Sequence, residues 1–66
     1  MPTIVLNGKK VELPGDPTVL DALKHGRVKG RYAVEINEEI SSRSEHATRK
    51  LIDGDKVEIV QAVGGG

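Results

Sequence analysis

Apolar and polar positions alternate from the start of the chain. In "TIVLNGKKVEL" two such runs flank Asn7-Gly8. Both turn positions tolerate the positive φ of a two-residue type I′ turn, so the stretch predicts a hairpin. Its register sets Leu6 opposite Lys9, Val5 opposite Lys10 and Ile4 opposite Val11. Directly opposed residues share a face, which puts Ile4, Leu6, Val11 and Leu13 on one side and Val5 beside Lys10 on the other.

"PGDPTVLDALKHG" follows. Pro14, Gly15 and Pro17 end the second strand. Thr18 and Asp21 make a capping box with Asp in place of the usual Glu. Val19, Leu20, Ala22 and Leu23 then form an apolar stripe at helical spacing. Lys24 and His25 suit the last turn, where cations favour the helix dipole, and Gly26 is the expected C′ stop. About two turns of helix cannot hold themselves in water, so this one must pack on a sheet.

"RYAVEIN" alternates again, with Tyr32, Val34 and Ile36 on one face and Ala33, Glu35 and Asn37 on the other. Asn37-Glu38-Glu39 reads as a turn into a very short strand near Ile40. "SSRSEHATRKL" has no sustained period, but Ser42 and Glu45 have the spacing to cap one helical turn. "IDGDKVEIVQAV" closes with an Asp53-Gly54 turn and a strand that turns Val57 and Ile59 one way, Val60 and Ala62 the other. The predicted order is strand, strand, helix, strand, short strand, irregular turn, strand. One helix can cover only one face of a small mixed sheet, so the fold is α+β with the opposite face open.

Composition narrows this further. The chain has 66 residues, enough for one domain. It is read as a domain over residues 1–63 and a flexible tail over 64–66. It contains no Cys, Trp or Phe and a single Tyr, so the core must be aliphatic. Disulfides, thiolate metal sites and thiol nucleophiles are excluded, and a reducing, cytoplasmic setting is expected. Ten basic and ten acidic residues cancel. They are interspersed, and no Lys/Arg run reaches a nucleic-acid footprint. No apolar stretch approaches the roughly 20 residues of a membrane span, and "MPTIVLNGKK" lacks the features of a signal peptide.

Candidate chemistry is sparse. His25 and His46 lack metal-ligand spacing, and His25 reads as a helix-end residue. Asp53 and Asp55 flank a turn glycine and fall far short of a calcium loop. Ser41, Ser42 and Ser44 lie near His46 in sequence, but the expected role there is capping. No catalytic or metal-binding residue is expected.

What remains is "QAVGGG". Glycine has no Cβ, so Gly64, Gly65 and Gly66 could lie extended in a channel too narrow for other residues. At about 3.3–3.6 Å per residue they would carry a terminal carboxylate on the order of 10 Å beyond the last strand. Ordering such a tail costs roughly 1–2 kcal/mol per residue, which docking elsewhere must offset. Val5, Ala33, Val60 and Ala62 are expected on the open sheet face as that docking patch, apolar and rimmed by charge.

The chain resembles the bacterial sulfur carriers of thiamine biosynthesis, the ThiS family of ubiquitin-like β-grasp proteins, over essentially its whole length. "LNGKKVELP" resembles the family's opening hairpin, "TVLDAL" its helix start and "YAVEIN" its third strand. "SRSEHA" resembles a segment that usually reads Pro-Arg-Ser, with Ser42 in place of Pro. "DGDKVEIVQAVGGG" is the most specific stretch, although many members end in two glycines.

The resemblance implies a carrier and not an enzyme. An E1-like adenylyltransferase would use ATP to convert the Gly66 carboxylate to an acyl-adenylate. Sulfur from a cysteine-derived persulfide donor would displace AMP and leave a thiocarboxylate for thiazole synthase. Gly64 and Gly65 would supply the slender approach. No cofactor would be bound, and the free protein would be a monomer. The alternatives are another carrier of this fold, such as the small subunit of molybdopterin synthase, a ubiquitin-like modifier conjugated through Gly66, or a plain binding module.

Overall fold

The computed structural model describes residues 1–62. Along the chain come β1 (Thr3–Leu6), β2 (Lys9–Glu12), α1 (Val19–His25), β3 (Tyr32–Ile36), β4 (Glu39–Ser41), a 3₁₀ turn (Arg43–Glu45) and β5 (Lys56–Gln61). The strands form one five-stranded sheet in the order β2-β1-β5-β3-β4. The last strand thus lies at the centre, parallel to β1 and antiparallel to β3.

The first hairpin has the expected register, Ile4 opposite Val11 and Leu6 opposite Lys9. Its turn residues Asn7 and Gly8 have φ of 48° and 84°. Asn37 and Glu38, with φ of 51° and 72°, make a turn of the same hand between β3 and β4, so Glu39 already belongs to the strand. Both turn asparagines are bound to β5. Asn7 Oδ1 accepts the Ile59 N–H at 2.7 Å, and Asn37 Oδ1 accepts the Lys56 N–H at 2.9 Å. The two turns are thereby tied to the central strand by side chains that mimic a backbone carbonyl.

The helix is seven residues long and needs outside partners for its free N-terminal donors. Val19 N–H donates to the Arg49 carbonyl at 3.0 Å and Leu20 N–H to the His46 carbonyl at 2.8 Å. The irregular segment after β4 therefore caps the helix through its own backbone. Asp21 adds the predicted box, accepting the Thr18 N–H at 2.8 Å and the Thr18 hydroxyl at 3.2 Å.

Two details differ from expectation. Gly26 is the C-cap in right-handed geometry, φ −79°, and Arg27 takes the left-handed position at φ 54°. Val28 N–H returns to the Leu23 carbonyl and Arg27 N–H to the Lys24 carbonyl, both at 3.1 Å, which is a Schellman closure one residue later than predicted. The shift lets Val28 pack on the core, a hydrophobic contact that offsets the left-handed Arg27. Leu20 falls outside the buried stripe, on the flank of the helix facing solvent.

The core is one aliphatic cluster. Ile4, Leu6, Val34, Ile36, Val57 and Ile59 line one sheet face and meet Val19, Ala22 and Leu23 of α1, with Leu13 and Leu51 closing the edges. At about 1.5–3 kcal/mol per fully buried aliphatic side chain, this cluster is the main opponent of chain entropy. The other sheet face is uncovered, as one helix requires.

Candidate functional site

Strand alternation builds the site. In β5, Val57 and Ile59 enter the core while Val60, pointing the other way, is 60% exposed. Val60 lies directly opposite Ala33 of β3, and Tyr32 directly opposite Gln61. Beyond the ladder, Ala62 N–H donates to the Arg31 carbonyl and Gln61 Nε2 to the Lys29 carbonyl, each at 3.0 Å. The chain is therefore held up to Ala62 by the segment that leads into β3. Val63 and the predicted tail, Gly64, Gly65 and Gly66, lie outside the described residues.

Ala33, Val60 and Ala62 come together on the open face beside this anchor. Val5 shares the face but not the patch. It pairs with Lys56, four residues before Val60, which at roughly 3.3 Å per residue places it on the order of 13 Å away along the strand. Ile40 takes its place. It is 75% exposed and lies opposite Glu35, so it shares the face with Ala33 and Val60. Its three-residue strand is too short for periodicity to assign its face, and only the register with β3 does so.

On the core side of the same sheet end, Tyr32 packs against two polar groups. The His46 ring lies 6.0 Å from it, tilted by 27°, and the Arg43 guanidinium sits 5.5 Å from its centroid. His46 is buried, with Nε2 donating to the Ser41 carbonyl at 3.2 Å. That bond goes to backbone and not to the Ser41 hydroxyl, so these two residues form no nucleophile and base pair. Ser42 caps as expected: its N–H and hydroxyl donate to Glu45 Oε1 at 3.0 and 2.8 Å.

Both capping carboxylates are held below their ordinary pKa. For Glu45 the Ser42 hydroxyl contributes most, then the Ser42 N–H and the Arg49 and His46 charges. For Asp21 the Thr18 N–H leads, helped by the Thr18 hydroxyl and Lys24. Asp53 and Asp55 shape the loop before β5. Asp53 Oδ1 accepts the Thr3 N–H at 2.6 Å, and Asp55 accepts the Ile52 N–H at 2.9 Å and Asn37 Nδ2 at 3.1 Å.

A cleft of about 410 Å³ runs along the helix between Leu13, Asp16, Pro17, Asp21, Lys24 and His25. Asp16 is ion-paired with Lys50 and Asp21 is committed to its cap, so both acids lining the cleft are already occupied. Among the described residues no group of three or more His, Cys, Asp or Glu side chains could hold a metal ion. No helix among them is long and apolar enough to cross a membrane.

The ThiS family model matches residues 4–66. Two solved structures of a thiamine biosynthesis protein (ThiS) from Geobacter metallireducens are similar in fold and sequence. The crystal structure is 29% identical, covering 97% of this chain and 99% of that one, with a TM-score of 0.77. The solution NMR structure is also 29% identical, covering 97% of this chain and 87% of that one, with a TM-score of 0.78. No curated protein matches the sequence at a significant level. A five-stranded mixed sheet holding one helix is the ubiquitin-like β-grasp of these ThiS structures.

Proposed function

Since this chain belongs to the ThiS family, we propose that it carries sulfur for thiamine biosynthesis on the C-terminal carboxylate of Gly66. One observation carries the proposal: the family match runs from the first strand through Gly66, taking in the glycines together with the sheet. Support also comes from β5, the central strand, which delivers the chain to the end of the sheet beside the exposed Ala33, Val60 and Ala62.

A carboxylate is a poor electrophile. In this reading an E1-like enzyme transfers AMP from ATP to the Gly66 carboxylate and releases pyrophosphate. A cysteine persulfide attacks the acyl carbon, and AMP leaves. A second thiol then cleaves the acyl disulfide, leaving the thiocarboxylate and a new disulfide on the donor side. The product serves thiazole synthase. The chain has no Cys, so it holds no sulfur as a persulfide of its own. Its part is to present the acyl group, dock by the open face and keep bulk away from the terminus, all in the cytoplasm.

The test is intact-mass spectrometry. Incubation with ATP, the E1-like enzyme and a persulfide donor is expected to add the mass of one oxygen-to-sulfur exchange, confined to the C-terminal peptide. Appending one alanine shifts the carboxylate by some 3.3–3.6 Å, and misplacement by about 1 Å can cost roughly a hundredfold in rate. Thiocarboxylation of the extended chain at the natural rate would refute the proposal.

A further inference from the structure

The net charge of zero hides a strong separation along the strand direction. Arg27, Lys29 and Arg31 alternate along the exposed connection from α1 to β3, which is bonded to the end of β5 at Gln61 and Ala62. Arg43 joins them over Tyr32, the residue opposite Gln61. None of the four makes an ion pair among the described residues, where Lys50–Asp16 is the one salt bridge. Glu45, the acid nearest Arg43 in sequence, is turned to Ser42 instead.

The opposite end of the sheet is acidic. Asn37 N–H bonds to the Lys56 carbonyl at the start of β5, which places Glu38 and Glu39 there. Asp53, bound to Thr3, and Glu12, paired with Thr3, complete that pole, with Lys56 on β5 and Lys10, level with it across Val5, as basic neighbours. Five steps of β5 at roughly 3.3 Å separate the poles by about 17 Å.

We propose that Arg27, Lys29, Arg31 and Arg43 form a cationic collar around the root of the C-terminal segment, fitted to a protein partner whose binding channel has an acidic mouth. The inference rests on the carrier reading above, because it takes the segment beyond Ala62 as the part that enters the partner. The positive potential concentrated at the tail end draws that end toward the acidic mouth during approach, so that the tail leads. Steering of this kind raises association rates by about 10–1,000-fold and weakens steeply with salt. The collar adjoins the apolar Ala33, Val60 and Ile40, the mixed surface that a protein interface uses. Nucleic acid is the poorer fit: strong phosphate binding draws on roughly 6–10 cationic contacts, and the acidic pole would repel the strand.

The experiment measures association of the full chain with its purified E1-like enzyme by stopped flow across a range of NaCl concentrations. Lys29→Glu/Arg31→Glu is expected to slow association at least about tenfold at low salt and to flatten the salt dependence. Glu38→Lys/Glu39→Lys, at the far pole, is expected to change the rate by less than about twofold at about 0.15 M NaCl, where the Debye length of about 8 Å is shorter than the distance between the poles. An unchanged rate for the collar variant overturns the proposal. So do equal and opposite effects from the two poles, since net charge and not the collar would then set the rate, and so does a wild-type chain that fails to associate. Tighter binding of the wild-type chain to a duplex oligonucleotide or to phosphatidylglycerol vesicles than to the enzyme also overturns it. Sulfur transfer is read separately, from the mass of the wild-type terminus at saturating enzyme. Failure there with a charge-steered rate intact refutes the carrier reading alone.

Discussion

Two turns of the same hand in one small domain offer an internal control on backbone strain. Asn7-Gly8 and Asn37-Glu38 both hold positive φ at each central position, but the second places Glu38 at φ 72° where the first has Gly8 at φ 84°. A side chain in the left-handed region costs roughly 1–2 kcal/mol. Glycine there removes that cost but loses about 0.4–1 kcal/mol through the greater freedom of the unfolded chain. Glu38→Gly is therefore expected to stabilise by about 1 kcal/mol, or about 4–8 °C in Tm for a domain of this size. Gly8→Glu is expected to lose a similar amount. A Cβ at Gly8 meets nothing within 4 Å, so its loss is a backbone term and not a clash. The turns sit on different hairpins, so the double exchange should sum to nearly no change. Thermal and urea unfolding followed by far-UV circular dichroism is the suitable assay, because the chain has no Trp and one Tyr. A lower Tm for Glu38→Gly, or a neutral Gly8→Glu, would refute the reasoning.

Other outcomes follow from the same geometry. Val60→Asp leaves Tm within a few degrees, because Val60 is 60% exposed, but weakens capture by the E1-like enzyme at least about tenfold; equal capture would remove Val60 from the interface. Val57→Asp, at a core position of that strand, instead buries an unpaired carboxylate at a fully buried site and should prevent folding, as a urea melt would reveal. Removing Gly65 and Gly66 should shift stability by less than about 0.5 kcal/mol, and a large fall in Tm would make the tail structural. The caps at Asp21 and Glu45 have depressed folded pKa values, so their contribution is complete above the unfolded carboxylate pKa and is lost as pH falls through the folded one. Asp21→Ala/Glu45→Ala should accordingly lower Tm at neutral pH and flatten the acid side of the Tm profile; a parallel profile would show that the caps do not titrate with folding.

The parts of this protein that depend on neighbours in sequence are legible without its structure. The Asn7-Gly8 register, the Thr18–Asp21 and Ser42–Glu45 boxes and the inward Val57 and Ile59 follow from turn chemistry, short-range hydrogen bonds and the twofold period of a strand. The glycine ending and the matching motifs likewise mark the family in the sequence itself. Tertiary structure decided what depends on stagger between distant strands. Alternation assigns Val5 and Val60 to one face but cannot say that β1 meets β5 at Lys56, far from Val60. Nor can it bring Ile40 beside them, since a three-residue strand acquires its face from β3. Gly26 and Arg27 exchanged roles because Val28 had a core to reach. His46 became buried because its backbone caps the helix and its ring stacks on Tyr32. The charge poles formed for the same reason: Arg27, Lys29, Arg31 and Arg43 gather at one end, and Glu38 and Glu39 at the other, only when β3 and β5 run antiparallel in this register. Local energies of about 1 kcal/mol can be read residue by residue, whereas the contacts that position the docking face and the collar exist only once the whole sheet has closed around its core.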